Sequence, residues 1–240
     1  SLLPIIAKLL DTIINDQIMH HLTTNNIISP TQYAFRPHSN CSLALQTVIN
    51  NITKNKNAHK PTLAIYIDLS KAYDTVSHEQ LLHKLQTEFK FTNATTAFFR
   101  SYFKNRQQSV HTQHAQSRTK TITHGIPQGS TLSTTFFLLY INNIIQTVPN
   151  SKVYTYADDT TLVITADTEQ ALQQLAQSEL QSLIQYFHNN NLVPNPTKTQ
   201  FTVFHPPTLT HAITLKINQT TINETKQAPL LGITVENTLK

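Results

Sequence analysis

Residues 153–164 constrain the fold most, because two adjacent carboxylates interrupt a run of strand-forming residues. The flanking residues are mostly β-branched or aromatic, which predicts two short strands joined by a tight turn at Asp158 and Asp159. Aspartate in a turn usually bonds to nearby backbone. Here the apolar flanks predict a buried hairpin, and two neighbouring anions repel each other unless a cation lies between them. The pair is therefore a candidate metal site.

A third carboxylate follows a second predicted strand. Residues 63–67 form a continuous apolar run of strand length, as expected for a strand covered on both faces, and Asp68 comes where the run ends. If the two strands are neighbours in a sheet, Asp68 joins the Asp pair and the three carboxylates can hold two divalent ions. Mg²⁺ bound in this way keeps coordination positions open for substrate phosphates.

Glycine is scarce, with three in 240 residues, and two of them fall within residues 125–129. Gly125 and Gly129 flank Pro127 and Gln128, so we expect a tight turn that brings the backbone close to a bulky neighbour. An ordinary loop before a helix is the alternative. The next residues, 132–145, are apolar nearly all round and predict a buried helix whose amino end suits contact with phosphate or bases.

Three blocks together resemble a reverse transcriptase of the non-LTR (LINE-like) retrotransposon type. They are Asp68-Leu69-Ser70-Lys71-Ala72-Tyr73-Asp74, Gly125-Ile126-Pro127-Gln128-Gly129-Ser130 and Tyr156-Ala157-Asp158-Asp159. One short acidic turn is weak evidence, but the order and spacing of all three blocks match. The resemblance implies an α+β fold with the fingers and palm of a right-hand polymerase, and an antiparallel palm sheet packed on helices without a thumb. The fingers would cover approximately residues 1–62 and 85–121, and the palm approximately 63–84 and 122–240.

The implied activity is that of a nucleotidyltransferase, an RNA-directed DNA polymerase that adds dNTPs to a primer 3′-hydroxyl in retrotransposition. Two Mg²⁺ ions, replaceable by Mn²⁺, would activate the hydroxyl and neutralise the leaving phosphates. Among the catalytic carboxylates, Asp68 and Asp158 would bridge both ions and Asp159 would be the weaker ligand. The backbone carbonyl of Leu69 would complete the metal site.

The resemblance also implies residues that bind the nucleotide or the template. Tyr73 would lie under the sugar and exclude a 2′-hydroxyl; a core aromatic on the turn is the alternative. Gln128 and Gly129 would face the incoming nucleotide and the template. Asp74 is expected to make a hydrogen bond and not a metal contact. The remaining members of this nucleotide site are Leu69, Ser70 and Ala72.

Two basic residues have competing interpretations. The resemblance places Arg36 in the fingers, near the template or the incoming triphosphate, since arginine suits phosphate oxygens; an ordinary surface arginine is the alternative. Where the family usually has Gly before Phe35, this chain has Ala34, so the local turn is expected to differ. Lys198 precedes a predicted strand at residues 200–204, and either reaches the edge of the active site or is solvated.

Periodicity predicts the remaining elements. Apolar residues at helical spacing indicate a helix from Pro4 to Ile18, and a second helix is expected at residues 39–52, followed by a loop at 50–60. Further helices are expected after a capping box at Ser77, at residues 94–103 and after Thr168. Residues 107–123 predict a polar hairpin with Val110 and Ile122 pointing inward. Two or three strands are expected from residue 213 onward, and the Leu230-Leu231-Gly232 block among them resembles the hairpin that supports the primer end in this family.

Bulk properties agree with a nucleic-acid partner without proving one. The net charge is +5 and the pI is near 9.3. A single Cys41 excludes an intramolecular disulfide and a cysteine-based zinc site. No signal peptide or membrane-spanning run is visible, so we expect an intracellular protein that acts in the nucleus. Its expected partners are an RNA template, a DNA primer, dNTPs and the remainder of a longer retroelement polyprotein, since the chain begins at Ser1 without methionine.

Two other functions stay open. The first is a catalytically incomplete retroelement-derived fragment that binds nucleic acid, which is favoured by Thr134 and Asn143, where the family usually has Pro and Asp. The second is another palm-type enzyme, such as an RNA-dependent RNA polymerase or a nucleotide cyclase, which shares the acidic hairpin. Tyr73 argues against the use of ribonucleotides.

Overall fold

The computed structural model describes residues 4–204 and 213–239 of the chain. Its α-helices are α1 (Ile5–Thr24), α2 (Cys41–Asn57), α3 (Ala72–Thr75), α4 (His78–Thr87), α5 (Asn93–Phe103), α6 (Thr131–Tyr140) and α7 (Glu169–Asn189), with a 3₁₀ helix at Asn142–Thr147. Its strands are β1 (Thr62–Ile67), β2 (Gln107–Gln108), β3 (Lys120–Thr121), β4 (Lys152–Tyr156), β5 (Asp159–Thr165), β6 (Gln200–Phe204), β7 (Leu215–Ile217), β8 (Thr220–Glu224), β9 (Gln227–Leu230) and β10 (Ile233–Glu236).

The chain divides into two compact units. The helical unit comprises Ser1–Ile27 and Lys71–Tyr140, and the sheet unit comprises Ile28–Ser70 and Ile141–Lys240. These boundaries differ from the expected fingers and palm, since residues 28–62 belong with the sheet and residues 71–84 and 122–140 with the helices. The assignment of fingers and palm stays a prediction, because a compact unit need not coincide with a functional subdomain.

An aromatic core holds the helical unit together. The α6 side chain Phe136 is fully buried, and its ring meets Phe99 of α5 edge-on at a centroid distance of 5.1 Å. Its amphipathic partner helix α4 begins as the capping box predicts, because the Ser77 hydroxyl accepts a hydrogen bond from Gln80 N at 3.3 Å. Helix α6 is buried along almost its whole length, as its all-round apolar sequence predicts.

Helix α1 forms where its periodicity predicts, but its apolar residues do not all face the core. Five of them are exposed by 49–86%: Ile5, Ile6, Leu9, Leu10 and Ile13. The buried positions are Asp11, Ile18 and Leu22. Asp11 is 4% exposed and accepts a hydrogen bond from the Ser130 hydroxyl, so a buried polar contact sets the orientation of this helix in its unit.

Two local expectations were wrong. The loop expected at residues 50–60 is largely helix, because α2 continues to Asn57. Ile52 anchors its buried face, Asn55 Nδ2 donates to Thr165 Oγ1 at 2.8 Å, and basic side chains favour the carboxyl end of a helix. Val110 is 62% exposed and does not point inward. The β2–β3 ribbon pairs only two residues on each strand, which is too few to enclose a core.

The sheet unit is built on a six-stranded sheet in the order β4-β5-β1-β6-β8-β7. β1 pairs antiparallel with both β5 and β6, and all six of its residues are buried, as its unbroken apolar run predicts. α2 packs with Ala64 and Tyr66 of β1, while α7 contacts β1, β5 and β7. The sheet is mixed and not purely antiparallel, since β6 and β8 pair in parallel; the intervening segment with β7 is long enough for such a crossover.

Four strands, and not two or three, follow residue 213. β7 and β8 pair as one hairpin, and β9 and β10 pair as a separate two-stranded sheet. Leu231 and Gly232 join β9 to β10 with positive φ angles of 50° and 88°, as a type I′ turn requires. Polar β8 lacks the apolar run that identifies a strand from sequence. Within residues 4–204 and 213–239, no helix has both the length and the apolarity of a membrane span.

Candidate active site

The acidic hairpin has the tight turn that its sequence predicts. Tyr156 at the end of β4 pairs with Asp159 at the start of β5, so Ala157 and Asp158 form the two-residue connection. Ala157 has a φ of +55°, and a positive φ at the first of the two positions is typical of a type II′ turn. A left-handed backbone costs a non-glycine residue about 1–2 kcal/mol. The flanking strands are buried enough to hold this strained turn and its carboxylates at one end of the sheet.

The strand that carries Asp68 lies directly beside this hairpin. Ile67, the last residue of β1, pairs with Thr160 of β5. Continuing this antiparallel register by one residue brings Asp68 level with Asp159. Two carboxylates that are far apart along the chain therefore meet at the same end of the sheet.

The negative charges of Asp158 and Asp68 act on Asp159. Partial burial raises the pKa of Asp159, and the negative charges of Asp158 and Asp68 raise it further, although the side chain presents much of its area to solvent. Across the described residues, no three His, Cys, Asp or Glu side chains are arranged as a ready metal-binding group. The end of the sheet is thus anionic. Its carboxylates are close enough to interact, but they do not converge in the geometry of a metal-coordination site.

Backbone contacts that the sequence analysis missed hold Asp68 in place. Its carbonyl accepts a hydrogen bond from Asn195 N at 2.8 Å, and its own N–H donates to Thr199 Oγ1 at 3.4 Å. Asn195 Oδ1 also accepts from the Thr197 hydroxyl at 2.7 Å, which closes the turn before β6. The Asn-Pro-Thr sequence at residues 195–197 is a turn signal. Nothing in the sequence, however, shows that this turn packs against β1.

The same segment aligns the residues after Asp68. Ser70 N donates to the Val193 carbonyl at 2.8 Å, and Leu69 forms a bridge with Pro194. Leu69 is 7% exposed, so its side chain is committed to the core. The backbone at the proposed carbonyl ligand is therefore fixed on both sides.

Lys198 lies beside Asp68 and is also largely solvated, so the structure is compatible with both of its interpretations. Its Nζ is 4.0 Å from Asp68 Oδ2, with the two side chains 69% and 40% exposed. A long, exposed ion pair of this kind contributes little to stability. Its effect is to place a cationic group at the edge of an anionic cleft.

A cleft of about 240 Å³ connects these groups with the β9–β10 turn. Asp68, Asp159 and Lys198 line it together with Leu231 and Gly232. Cys41 Sγ donates to the Leu231 carbonyl at 3.3 Å and ties the turn to α2. The Leu-Leu-Gly block, which resembles the hairpin that supports the primer end in this family, therefore lies on the same cleft as the carboxylates, and its role stays a prediction.

Arg36 makes structural contacts in the sheet unit. Its Nη1 donates to the carbonyls of Ser29 and Gln32, at 2.7 and 2.9 Å. Burial lowers the pKa of Arg36, although the nearby Tyr33 acts in the opposite direction. The left-handed residue of this turn is Phe35, with a φ of 53°, and not the alanine that replaces the family's glycine. Arg36 thus closes a local turn, and its contact with nucleotide or template stays a prediction.

Four of the predicted nucleotide-site residues belong to the helical unit: Ala72, Tyr73, Gln128 and Gly129. Ala72 is buried at the start of α3. The ring of Tyr73 stacks on Phe137 at a centroid distance of 4.6 Å and an angle of 15°, and the side chain is partly exposed. Tyr73 therefore makes the core contact of its alternative interpretation while keeping an exposed edge.

The glycine turn makes the close approach that its composition predicts. Gly125 has a φ of +90°, and a Cβ there would lie 3.2 Å from the Asp74 carbonyl oxygen. Gln128 Nε2 donates to Asp74 Oδ1 at 3.2 Å, which is the kind of contact expected for Asp74. Gly129 also has a positive φ, of 86°. Residues 71–74 and the glycine turn at residues 125–130 are thus held together within the helical unit through Asp74.

Known proteins resemble this chain along its whole length. It is 24% identical over 249 aligned positions to "Probable RNA-directed DNA polymerase from transposon BS" of Drosophila melanogaster, covering 100% of this chain and 27% of that protein. It is 25% identical to the RNA-directed DNA polymerase from the mobile element jockey of the same species, over 82% of this chain and 22% of the relative. The chain thus spans about a quarter of the length of these relatives, which come from non-LTR retrotransposons.

Solved structures share the fold. The telomerase of Candida tropicalis, in complex with a fragment of telomeric RNA, matches with a TM-score of 0.63 and 12% identity, over 96% of this chain and 36% of that one. The telomerase of Candida albicans matches with a TM-score of 0.62 and 13% identity, over 94% and 36%. The family model for reverse transcriptase (RNA-dependent DNA polymerase) matches residues 1–235. The chain belongs to the reverse transcriptase family.

Proposed function

We propose that this chain is the polymerase core of a non-LTR retrotransposon reverse transcriptase, which adds dNTPs to the 3′-hydroxyl of a DNA primer on an RNA template. The observation that carries the proposal is the meeting of Asp68 with Asp158 and Asp159 at one end of the sheet. Adjacent anions without a compensating partner destabilise a fold, so a site that collects them indicates a cationic ligand.

The donor set fits divalent metal ions. Reverse transcriptases as a family use such ions, and carboxylate oxygens are the ligands that Mg²⁺ prefers. Asp68 and Asp158 would be the main ligands of two Mg²⁺ or Mn²⁺ ions, with Asp159 and the Leu69 carbonyl as further ligands. When bound, the ions supply activation of the attacking hydroxyl and neutralisation of the leaving phosphates. The raised pKa of Asp159 supports this assignment, since a nearby cation would favour its ionised form.

Other side chains would position the substrates. The Lys198 ammonium, beside Asp68, suits a phosphate oxygen of the nucleotide or the primer terminus. We assign the turn at Leu231 and Gly232 to the support of the primer end, because it lines the same cleft as the carboxylates. Tyr73 would exclude the 2′-hydroxyl with the exposed edge of its ring.

The remaining assignments concern the nucleotide site and the setting. Gln128 and Gly129 would face nucleotide and template, Leu69, Ser70 and Ala72 would form the backbone beside the sugar and phosphates, and Arg36 would contact the template or triphosphate. Reverse transcriptases bind RNA templates and primers, and the relatives are longer proteins. We assign this chain the fingers and palm of such a protein, acting in the nucleus.

The decisive experiment measures Mg²⁺-dependent dTTP incorporation on poly(A)/oligo(dT) by the protein extended to its relatives' length. Asp158→Ala should lower incorporation at least about a hundredfold, because several kcal/mol of transition-state stabilisation depend on the metal ligands. Asp16→Ala, which removes an exposed carboxylate of α1, is the matched control and should change little. Unchanged incorporation in Asp158→Ala would contradict the proposal. Salt-sensitive RNA binding without incorporation under any metal would instead favour a non-catalytic fragment.

A further inference from the structure

The helical unit has a cleft of its own, about 520 Å³ in volume, at the glycine turn and the β2–β3 ribbon. Three basic side chains line it: Lys71, Arg106 and His124. Two of them, Lys71 and Arg106, carry a fixed positive charge, and Asp74 is the one acidic residue of the lining. None of the three basic residues is among the predicted site residues, although Gln128, which lines the same cleft, is predicted to face the nucleotide and template.

Arg106 is held in place by contacts that leave its charge available. Its guanidinium carbon lies 4.6 Å from the centroid of the Tyr102 ring, and Nε donates to the Tyr102 carbonyl at 3.1 Å. Its own carbonyl accepts from Ile122 N at 2.9 Å, which fixes the backbone. The two terminal nitrogens make no hydrogen bond within residues 4–204 and 213–239, although they are the donors best suited to a phosphate oxygen.

The cleft carries an excess of positive charge. Lys71 forms no ion pair with any described residue. The Asp74 carboxylate already accepts a hydrogen bond from Gln128, at 3.2 Å. Burial lowers the pKa of neighbouring His78, the Gly125 carbonyl raises it, and the positive charges of His124 and Arg106 lower it further. A histidine that is made harder to protonate by two neighbours indicates a positive potential around them.

We propose that this cleft binds one phosphodiester group of a nucleic-acid strand. Lys71 and Arg106 against Asp74 leave one positive charge when His124 is neutral, which matches the single negative charge of a backbone phosphate. A free nucleoside triphosphate carries several negative charges and would be poorly neutralised here. The exposed amides of Gln107 and Gln108 on β2 line the same cleft and suit neighbouring sugar and phosphate oxygens. The proposal rests on the proposed function only in that the ligand is nucleic acid.

The test measures the dissociation constant of a labelled RNA–DNA heteroduplex at several NaCl concentrations, in EDTA, so that catalysis plays no part. Arg106→Gln should weaken binding about tenfold at low salt and lower the slope of log Kd against log[NaCl] by about 0.9. Lys71→Gln should act in the same way. The double variant should weaken binding more than either single variant, because it leaves the negative charge of Asp74 unopposed when His124 is neutral.

Matched variants distinguish binding in the cleft from a general effect of net positive charge on nucleic-acid binding. Arg118→Gln removes an exposed arginine of the same hairpin that does not line the cleft, and its slope should equal that of the unsubstituted chain. Arg106→Lys keeps the charge and should restore the slope. If Arg106→Gln unfolds, Lys71→Gln decides alone, since Lys71 is exposed. Unchanged binding in Lys71→Gln, or an equal loss in Arg118→Gln, would overturn the proposal.

Two further measurements show whether the bound phosphate belongs to a strand or to a free nucleotide. They also distinguish failure of the cleft assignment from failure of the proposed function. If the cleft takes free nucleotide, Arg106→Gln would weaken dTTP binding and leave the salt slope of the heteroduplex unchanged; this result would overturn the assignment to a strand. The slope prediction can fail while Asp158→Ala still abolishes incorporation. That result would overturn the assignment of the cleft but not the proposed polymerase function. A chain that does not bind the heteroduplex at any salt concentration overturns the cleft as well.

Discussion

The end of the sheet and the cleft of the helical unit carry charges of opposite sign. At the end of the sheet, Asp68, Asp158 and Asp159 concentrate negative charge, and Lys198 is the cation that approaches them. In the helical unit, Lys71 and Arg106 concentrate positive charge, and Asp74 is the carboxylate that faces them. A polymerase needs both, since metal ions require anionic ligands and phosphates require cationic ones. One seven-residue block, Asp68 to Asp74, supplies a carboxylate to each region.

The largest effect should separate the two carboxylates of that block. We predict that Asp68→Asn lowers nucleotide incorporation at least about a hundredfold, because it removes a proposed metal ligand. Asp74→Asn should lower it by less than about fivefold, because it alters the hydrogen bond from Gln128 and one charge of the basic cleft but no proposed metal ligand. Primer extension by the two purified variants, at equal folded concentration, makes the comparison. An equal loss of incorporation in the two variants would contradict the assignment of metal binding to the end of the sheet alone.

A second comparison uses one glycine from each region. Gly125→Ala should lower the free energy of unfolding by about 2–3 kcal/mol, because a positive φ combines with a Cβ placed 3.2 Å from the Asp74 carbonyl. Gly232→Ala should cost only about 1 kcal/mol, since its φ is also positive but nothing lies within 4 Å of the new Cβ. Urea unfolding measures both. A Gly125→Ala variant as stable as Gly232→Ala would show that the close approach at the glycine turn is not rigid.

Tyr73 sharpens the comparison because it belongs to the helical unit and is assigned a role in substrate choice. Tyr73→Val should raise the incorporation of rNTPs relative to dNTPs by at least about tenfold, since it removes the ring edge that we propose excludes the 2′-hydroxyl. Loss of the stack on Phe137 should also lower stability by about 1 kcal/mol. Competing rNTP and dNTP in one extension reaction isolates the first effect. A variant that loses stability with unchanged sugar preference would leave Tyr73 as a core aromatic only.

The smallest effect concerns pH and the end of the sheet. Because the folded-state pKa of Asp159 is raised, ionising this carboxyl costs the native state stability. The cost is absent at pH values below the ordinary pKa of aspartate and grows as pH rises through the raised value. Without divalent ions, Asp159→Asn should therefore be more stable than the unsubstituted chain at pH 7, by less than about 1 kcal/mol given the exposure, and equally stable near pH 3. Thermal unfolding across pH checks the sign, and Mg²⁺ should reduce the difference.

Local chemistry made several parts of the site predictable. The unbroken apolar run before Asp68 specified a strand buried on both faces, and the alternation of β-branched and aromatic residues around Asp158 specified a hairpin. Scarce glycine pointed to Gly125, where the φ and the contact with Asp74 leave no room for a side chain. Each of these signals lies within a few residues of the structure that it predicts.

Other parts depended on contacts that periodicity does not encode. Asn195 and Thr199 bond to the backbone of Asp68 from far along the chain, and neither residue type is distinctive there. The basic cleft forms only because the β2–β3 ribbon brings Arg106 to the glycine turn. In α1, apolar spacing predicted the helix but not its buried face, since Asp11 is inside while Ile5 is exposed. Long-range packing decided each of these cases against the local pattern.

The central claim is that Asp68 and Asp159 share one anionic site, and the ionisation of Asp159 tests it most directly. Carboxyl ¹³C chemical shifts, followed through a pH titration of the metal-free chain, report the pKa of Asp159 with and without Asp68→Asn. We predict a pKa above the ordinary aspartate value in the unsubstituted chain and a lower one in Asp68→Asn, because one of the charges that raises it is gone. An identical titration in both proteins would place Asp68 away from the acidic hairpin and contradict the account.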